Sequence, residues 1–422
     1  MKRKTVLTIL VALIMLVSLL SACNNGNQGG EAQITNSAAP PSETQSAQPP
    51  SDSTSSQPPA AVPDASAPSS APSSAPSSEE PVVSSPVAAE KEVYTYDDLV
   101  QLAENVTKPI TIRIGTATAG KHYQNYMLDT FKEVIEEISD MVTVEIFPGG
   151  QLGSVAQMME SVLNGSLECA AFPVAFLSTV APGISVIEVP FLFDDQIGSA
   201  EQAYRILNSG TSLDEYLYNK GFVPIAWLRS GDNFLISASE ISSLADFSGK
   251  KIRCHTSEFV QNTLKLLGAV PTIIENSELV LSLQNKTIDG SESDPSFAFT
   301  QGLYQVADYY TLMPIRPNQI ALLMSADIWD TYSKETQDFI LAVNQYVLNE
   351  YEYDYYLNIE ATAFATMEEE GLTIITPDAA FIDEMRLLTA SVADDFRNYN
   401  SDCAAIYDEF VQLIAADSAA HR

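Results

Sequence analysis

The sequence predicts an α/β protein of two lobes, with a long inter-lobe helix in its C-terminal third. Three observations carry that expectation. Between residues 110 and 293, two successive cycles alternate strand-like and helix-like segments, the pattern of mainly parallel sheets with helices on their faces. From residue 326 to Gly371 the pattern is helical nearly throughout. Residues 93–422 are long enough to bury a large core divided between two lobes.

The first residues stand apart from this fold. "MKRKTVLTILVALIMLVSLLSAC" opens with Lys2, Arg3 and Lys4, continues as an apolar run over residues 6–20, and ends in small residues, as a secretory signal peptide does. Its last four residues, "LSAC", resemble the lipobox of bacterial lipoproteins, which implies cleavage before Cys23 and lipidation of its sulfur. A diacylated Cys23 anchors stably where one chain would not, placing the protein on the outer face of the cytoplasmic membrane or in the periplasm. Residues 23–92 then form a tether, with "PDASAPSSAPSSAPSSEEP" at its centre. This composition has almost no large apolar side chains to offset the entropy of ordering. As a coil of roughly 70 residues it reaches on the order of 45 Å.

The folded part begins with a short helix around "YDDLVQLAENV". "ITIRIGTA" alternates as a strand does and contains Gly115. In "YQNYMLDTFKEVIEEIS", Tyr126, Met127, Phe131, Val134, Ile135 and Ile138 recur at helical spacing. "VTVEIFPGGQLG" is a second strand running into a turn, "SVAQMMESVLNG" a helix stopped by Gly165, and "ECAAFPVAF" a short buried strand. The second cycle has strands "FVPIAWL", "NFLISA" and "KKIRC", then helix "SEFVQNTLKLLG" ending at Gly268 and strand "AVPTII". Helix "SELVLSLQNKT", with Ser277 as its cap, leads into "IDGSES". On the long helix, Tyr346, Tyr351, Tyr353, Tyr355 and Tyr356 serve core and lobe-facing packing.

Composition excludes several functions. With 55 acidic against 21 basic residues the formal charge is −34, which repels nucleic acid. No second apolar run approaches the length of a membrane span. Beyond Cys23, the thiols Cys169, Cys254 and Cys403 lack metal-ligand spacing, permit one disulfide at most, and read as small buried hydrophobes. There is no HExxH, GxSxG or P-loop, and strand alternation sends the adjacent Cys254 and His255 to opposite faces, so they make a poor dyad. No catalytic, metal or cofactor site is expected, and the chain is not read as an enzyme.

In so acidic a chain, "LADFSGKKIRC" is a rare cationic cluster. Alternation in "KKIRC" puts Lys251 and Arg253 on one face. Lys250 and Lys251 are solvated charges beside a turn. Arg253 carries a planar fork that grips a carboxylate in two places, on a strand end of the kind that lines clefts in α/β sheets. Its structural alternative is a salt bridge to an acid such as Glu292. The acidic excess does not decide the matter. Surface charge is screened over about 8 Å at physiological ionic strength, whereas a charge-assisted hydrogen bond contributes roughly 1.5–3 kcal/mol.

Four segments in order resemble the solute receptors of TRAP (tripartite ATP-independent periplasmic) transporters. They are "VEIFPGGQLGSVAQMMESVLNGSLECA", "VPFLFDD", "SLADFSGKKIRC" with "LKLLGAVP", and "SELVLSLQNKTIDGSES". The resemblance covers about residues 110–410. It implies a two-lobed periplasmic-binding-protein fold, class II-like, that closes on a small organic anion and delivers it to membrane subunits driven by an ion gradient. It also implies that Arg253 pairs with a ligand carboxylate.

The chain departs from the family pattern nearby. Where many members have a second Arg, this sequence has Asn233; where an Asn often follows the Glu at 292, it has Ser293, with Asp294 next. Thr118 stands near the expected polar residue of the first strand–helix loop, beside Ala117. One Arg with an amide and a hydroxyl suits a monocarboxylate with hydroxyl or apolar parts. The candidate ligand-binding residues are thus Arg253, Asn233, Ser293, Thr118, Phe172 and Glu292. Phe172 and Phe193 are possible cleft walls that compete with core packing. Arg229, Arg316, Lys121 and His122 are further cations, each expected to be solvated or paired. The expected organisation is a first lobe over residues 93–232, a second over 233–318, a return with the long helix over 319–358, and second-lobe helices over 359–422. The partners expected are a small carboxylate, TRAP membrane subunits and, through Cys23, the membrane; the receptor itself is expected to be a monomer. A receptor feeding a sensor kinase or an ATP-driven importer is the alternative.

Overall fold

The computed structural model describes residues 93–194 and 198–421. The leader, Cys23 and the tether lie outside the described residues. Thr95 caps α1 (Tyr96–Ala103), accepting from the Asp98 amide while the Asp98 carboxylate accepts from its own. Then come β1 (Ile110–Thr116), α2 (Tyr123–Ile138), β2 (Val142–Phe147), α3 (Val155–Leu163) and β3 (Cys169–Pro173). Ser154 and Gln157 cap α3 in the same reciprocal way, and Gly165 turns the chain after it at φ +70°. Two 3-10 turns (Val174–Thr179 and Pro182–Glu188) precede α4 (Ser199–Leu207), α5 (Ser212–Tyr218) and β4 (Phe222–Asp232). A second series follows: β5 (Phe234–Ser237), α6 (Leu244–Phe247), β6 (Lys251–Cys254), α7 (Glu258–Leu266), β7 (Val270–Ile273), α8 (Leu279–Gln284), β8 (Gly290–Ser293), α9 (Pro295–Thr300) and β9 (Tyr309–Thr311). The chain closes with β10 (Pro317–Ser325), α10 (Ala326–Trp329), α11 (Lys334–Val347), α12 (Tyr353–Glu369), β11 (Thr373–Ile375), α13 (Ala379–Thr389), α14 (Ser391–Arg397) and α15 (Ser401–His421).

The strands form two sheets, ordered β2-β1-β3-β10-β4 and β11-β9-β5-β8-β6-β7. Each repeats one plan. Three strands run parallel, and the strand arriving from the other lobe is inserted antiparallel beside the third: β10 between β3 and β4, β5 between β8 and β9. The expectation of mainly parallel sheets is thereby corrected to mixed ones. Alternation along the chain reports local neighbours, whereas β5 and β10 pair with strands distant in sequence.

The described chain crosses between the lobes four times, the last time between α13 and α14. Only Asn233 separates β4 from β5, and residues 312–316 lead from β9 back to β10. The third is the long helical run. Phe339, Ile340 and Val343 of α11 join the core that covers one face of the first sheet, while Ala363 and Met367 of α12 join a core under the second. A π-helical turn (Leu348–Glu352) lies between them. This run starts at Lys334 rather than near Ala326, because Ser333 breaks the pattern and caps α11. Likewise Ser277 caps no helix: it sits in a 3-10 turn (Asn276–Glu278) ahead of α8.

The assignment of residues 359–422 to the second lobe is also corrected. Phe381 and Met385 of α13 do pack there, but Val392, Phe396, Cys403, Ile406 and Phe410 bury into the core on the other face of the first sheet. Helix α15 rests on α4, α5 and the Pro182–Glu188 turn. Cys169, Cys254 and Cys403 are free and buried. Among the described residues no helix is long and apolar enough to cross a membrane, and no cluster of His, Cys, Asp and Glu could hold a metal ion.

Candidate ligand-binding site

A cavity with about 400 Å³ of empty space, part of it open to solvent, is lined from both lobes and from the crossing at Asn233. Thr118, His122, Gln124, Pro173, Ser230 of β4, and Asn318 and Ile320 of β10 come from the first lobe, and Asn233 from the crossing. Arg253, His255, Asn276, Glu292, Ser293, Asp294 and Phe297 complete it from the second.

Arg253 is 2% exposed. Its Nε donates to the Ile274 carbonyl (2.9 Å) and one terminal nitrogen, Nη2, to Asn276 Oδ1 (2.6 Å). Among the described residues Nη1 has no hydrogen-bond partner and the guanidinium has no ion pair. Both acceptors are neutral, so they orient the group without cancelling its charge. Burial draws its pKa down to about 10, with the nearby Cys254, Glu292 and Glu275 opposing, which leaves it cationic at neutral pH.

The other predicted residues divide. Asn233 is 4% exposed and its amide N–H donates to the Arg316 carbonyl (3.1 Å), while its side-chain Nδ2 is buried without a partner among the described residues. Ser293 and Thr118 line the cavity, with their hydroxyls on the Asp294 carbonyl (3.2 Å) and on Gln124 Oε1 (3.3 Å). Glu292 accepts from Arg316 at 2.9 Å, so it is not the salt-bridge partner of Arg253. Phe172 is a correction. It is fully buried in the core of the first lobe, and the alternation of β3 turns Pro173 to the cavity in its place. Phe193 lies in that same core.

The additional cations are accounted for. Arg229 pairs with Glu201 and Glu352, and Arg316 with Glu292. Lys121 is exposed. His122 does line the cavity, but as a neutral group. Its Nδ1 accepts from the Gln124 amide at the start of α2 (3.1 Å), and burial pushes its pKa down to about 4. The proton of the neutral ring therefore sits on Nε2, making it a hydrogen-bond donor.

Sequence reasoning did not select Asp294, Asn318, Asn276 or His255. Asp294 caps α9: Oδ1 accepts from the Phe297 amide (2.9 Å) and Oδ2 from Asn318 Nδ2 (3.1 Å), and burial pushes its pKa up to about 6. Among the described residues Asn318 Oδ1 and His255 Nδ1 are buried without partners. Burial first, then the Arg253 and Arg316 charges, hold His255 well below its ordinary value. Beside this site Glu188 is fully buried, with no hydrogen bond to either oxygen within bonding geometry among the described residues, and burial raises its pKa despite the Arg316 charge and the nearby Ser257 and Ser185 hydroxyls.

Residues 114–399 match the model of the bacterial extracellular solute-binding proteins, family 7 (DctP). The chain belongs to that family. This family 7 receptor is 32% identical over 217 residues to the uncharacterized protein YiiZ of Salmonella typhimurium, an alignment spanning 50% of this chain and 64% of that one. It is 25% identical over 229 residues to the C4-dicarboxylate-binding periplasmic protein DctP of Rhodobacter capsulatus, covering 53% of this chain and 68% of that protein. In fold it is similar to the sugar acid binding protein of Advenella mimigardefordensis solved with galactonate. There the TM-score is 0.66 and the identity 23%, over 73% of this chain and 99% of the other. The resemblance to TRAP solute receptors is thus one of family membership, and the receptor has their two-lobed architecture.

Proposed function

We propose that this family 7 receptor captures a small organic acid, with Arg253 holding the carboxylate, and delivers it to TRAP membrane subunits. The observation that carries this reading is the Arg253 guanidinium, which lines the cavity, is fixed by two neutral acceptors and, among the described residues, has no partner on Nη1. A carboxylate there gains a charge-assisted bond in a site from which closure excludes water. His122 and Asn233 supply neutral donors elsewhere in the same cavity. The lobes close about Asn233, residues 312–316 and the helical run through the π turn. The receptor is a monomer held outside the cytoplasmic membrane by lipidated Cys23, and it takes part in no catalysis. The galactonate, ectoine and C4-dicarboxylate named for its relatives support a polar organic acid as the class of ligand.

A thermal-shift screen of the full chain against carboxylates, with neutral sugars and amines as controls, tests the proposal. A ligand at about 100 times its Kd stabilises by roughly 2.7 kcal/mol. A response confined to acids and lost in Arg253→Ala supports the reading; an equal response in that variant refutes the clamp. Labelling with a radioactive fatty acid, lost in Cys23→Ala, tests the anchor.

A further inference from the structure

We propose that Asp294 and Asn318 are specificity determinants: they accept hydrogen bonds from hydroxyls at the end of the ligand remote from its carboxylate, and they reject a second carboxylate there. This rests on the organic-acid reading above. Arg253 stands opposite Ser291 in the β6–β8 register, and Asp294 lies three residues beyond Ser291. Strands β8 and β7 flank β6 on opposite sides, roughly 10 Å apart. The guanidinium turns the other way, toward Ile274 and Asn276 just past β7, and β7 flanks β6 on the side away from β8. Cation and carboxylate therefore occupy two ends of one cavity and form no ion pair.

Asn318 is oriented by its bond to Asp294. Because Nδ2 donates to that carboxylate (3.1 Å), the atom left over is Oδ1, an acceptor that is buried and unpartnered. Asp294 is 3% exposed and Asn318 7%. Asn233 precedes Phe234, which pairs with Ser293, so its unpartnered Nδ2 belongs at the same end as Asp294. Among the described residues this end presents the Asp294 and Asn318 acceptors, the Asn233 donor and the Ser230 hydroxyl, which lies against Asp294 and can do either. A ligand hydroxyl can donate to the acceptors and accept from the donor. A carboxylate can only accept and faces the lone pairs of Asp294 and Asn318; an ammonium can only donate; a methyl group satisfies none of them.

Isothermal titration of the full chain with D-glucuronate, succinate and hexanoate reads the preference directly. D-glucuronate binds more tightly than either of the others, by on the order of 100-fold over succinate. Asp294→Asn narrows that ratio by on the order of 10-fold or more, weakening D-glucuronate and strengthening succinate. Asn318→Ala weakens D-glucuronate while leaving hexanoate unchanged. Urea midpoints confirm that each variant is folded. Wild-type preference for succinate or hexanoate, or an unchanged ratio in Asp294→Asn, overturns the proposal. If Arg253→Ala abolishes binding while Asp294→Asn leaves the ratio intact, this inference alone fails. If no acid of the three binds, or Arg253→Ala binds them as tightly as wild type, the organic-acid reading fails and takes the inference with it.

Discussion

Arg229 and Arg253 are both buried strand arginines, 5% and 2% exposed, yet the chain treats them oppositely. Arg229 donates to both oxygens of Glu201 (2.8 and 3.1 Å), pairs with Glu352 of the π turn, and lies over the Tyr204 ring at 3.6 Å. Tyr123 donates to the same Glu352. Its charge is consumed in tying β4 to the long helical run. Arg253 is given only a carbonyl and an amide oxygen. A buried guanidinium neutralised by carboxylates is a brace, whereas one held by neutral acceptors keeps its charge for an incoming anion. The comparison predicts a double dissociation. Arg229→Ala strands Glu352 and lowers stability by about 3–5 kcal/mol, seen as a fall in the urea midpoint, with ligand affinity of the folded protein unchanged. Arg253→Ala removes about 3–5 kcal/mol of carboxylate binding while its urea midpoint stays at or above that of wild type. The comparison breaks if both variants lose stability equally and bind alike.

A sharper test converts one arginine into the other kind. Asn276→Asp places a carboxylate on Arg253 at the position of the present Oδ1 contact. The new ion pair consumes the charge, so carboxylate affinity falls by about 10-fold or more although the guanidinium stays in place. Titration with the best acid of the screen measures this. An affinity equal to wild type would show that orientation matters at this site and uncompensated charge does not.

Much of this was legible from residue order, and the gaps have physical causes. The strand–turn–helix cycles, and the place of Arg253 in the cavity lining, were readable because each is local: alternation, a glycine stop, a cation in an acidic chain. Phe172 was misplaced because an apolar run such as "CAAFP" does not reveal which face meets the core; its neighbour Pro173 takes the cavity. His122 was noticed only as a possible cation, since its neutrality depends on burial and on one backbone contact. Asp294 and Asn318 are 24 residues apart and meet only where β8 ends beside β10, a juxtaposition without a sequence signal. The C-terminal helices returned to the first lobe because their apolar faces fit the core beneath α4 and α5, which helical periodicity cannot specify.

The crossing between the lobes offers a smaller effect. Gly231 has φ +86°, and a Cβ there would lie 3.0 Å from the Tyr356 hydroxyl and 3.6 Å from Glu360. Gly231→Ala therefore combines left-handed backbone strain with a tight contact between β4 and α12, and should cost about 1–2 kcal/mol of stability. A urea titration measures it. An unchanged midpoint would mean that this crossing yields without loss, unlike the braced segment around Arg229.

Glu188 supplies the smallest effect and a different kind of contrast, since it is a buried acid that Arg316 approaches without a direct bond. The groups that face it are Arg316 and Glu292, Cys254 of β6, Ser257 at the start of α7, and Ser185 of its own turn. Burial raises its pKa above the ordinary carboxyl value, and the Arg316 charge opposes this only in part. The folded protein therefore holds a proton that the unfolded chain has released. The stabilising contribution is complete below the unfolded pKa and is lost as pH rises through the folded one. Glu188→Gln cannot titrate, so its stability relative to wild type should rise with pH across that window. One proton limits the slope to about 1.4 kcal/mol per pH unit. Urea midpoints of the two proteins at several pH values from 4 to 8 test the sign. A difference that falls with pH would mean that Arg316 holds Glu188 ionised, making it a third member of the Arg316–Glu292 pair.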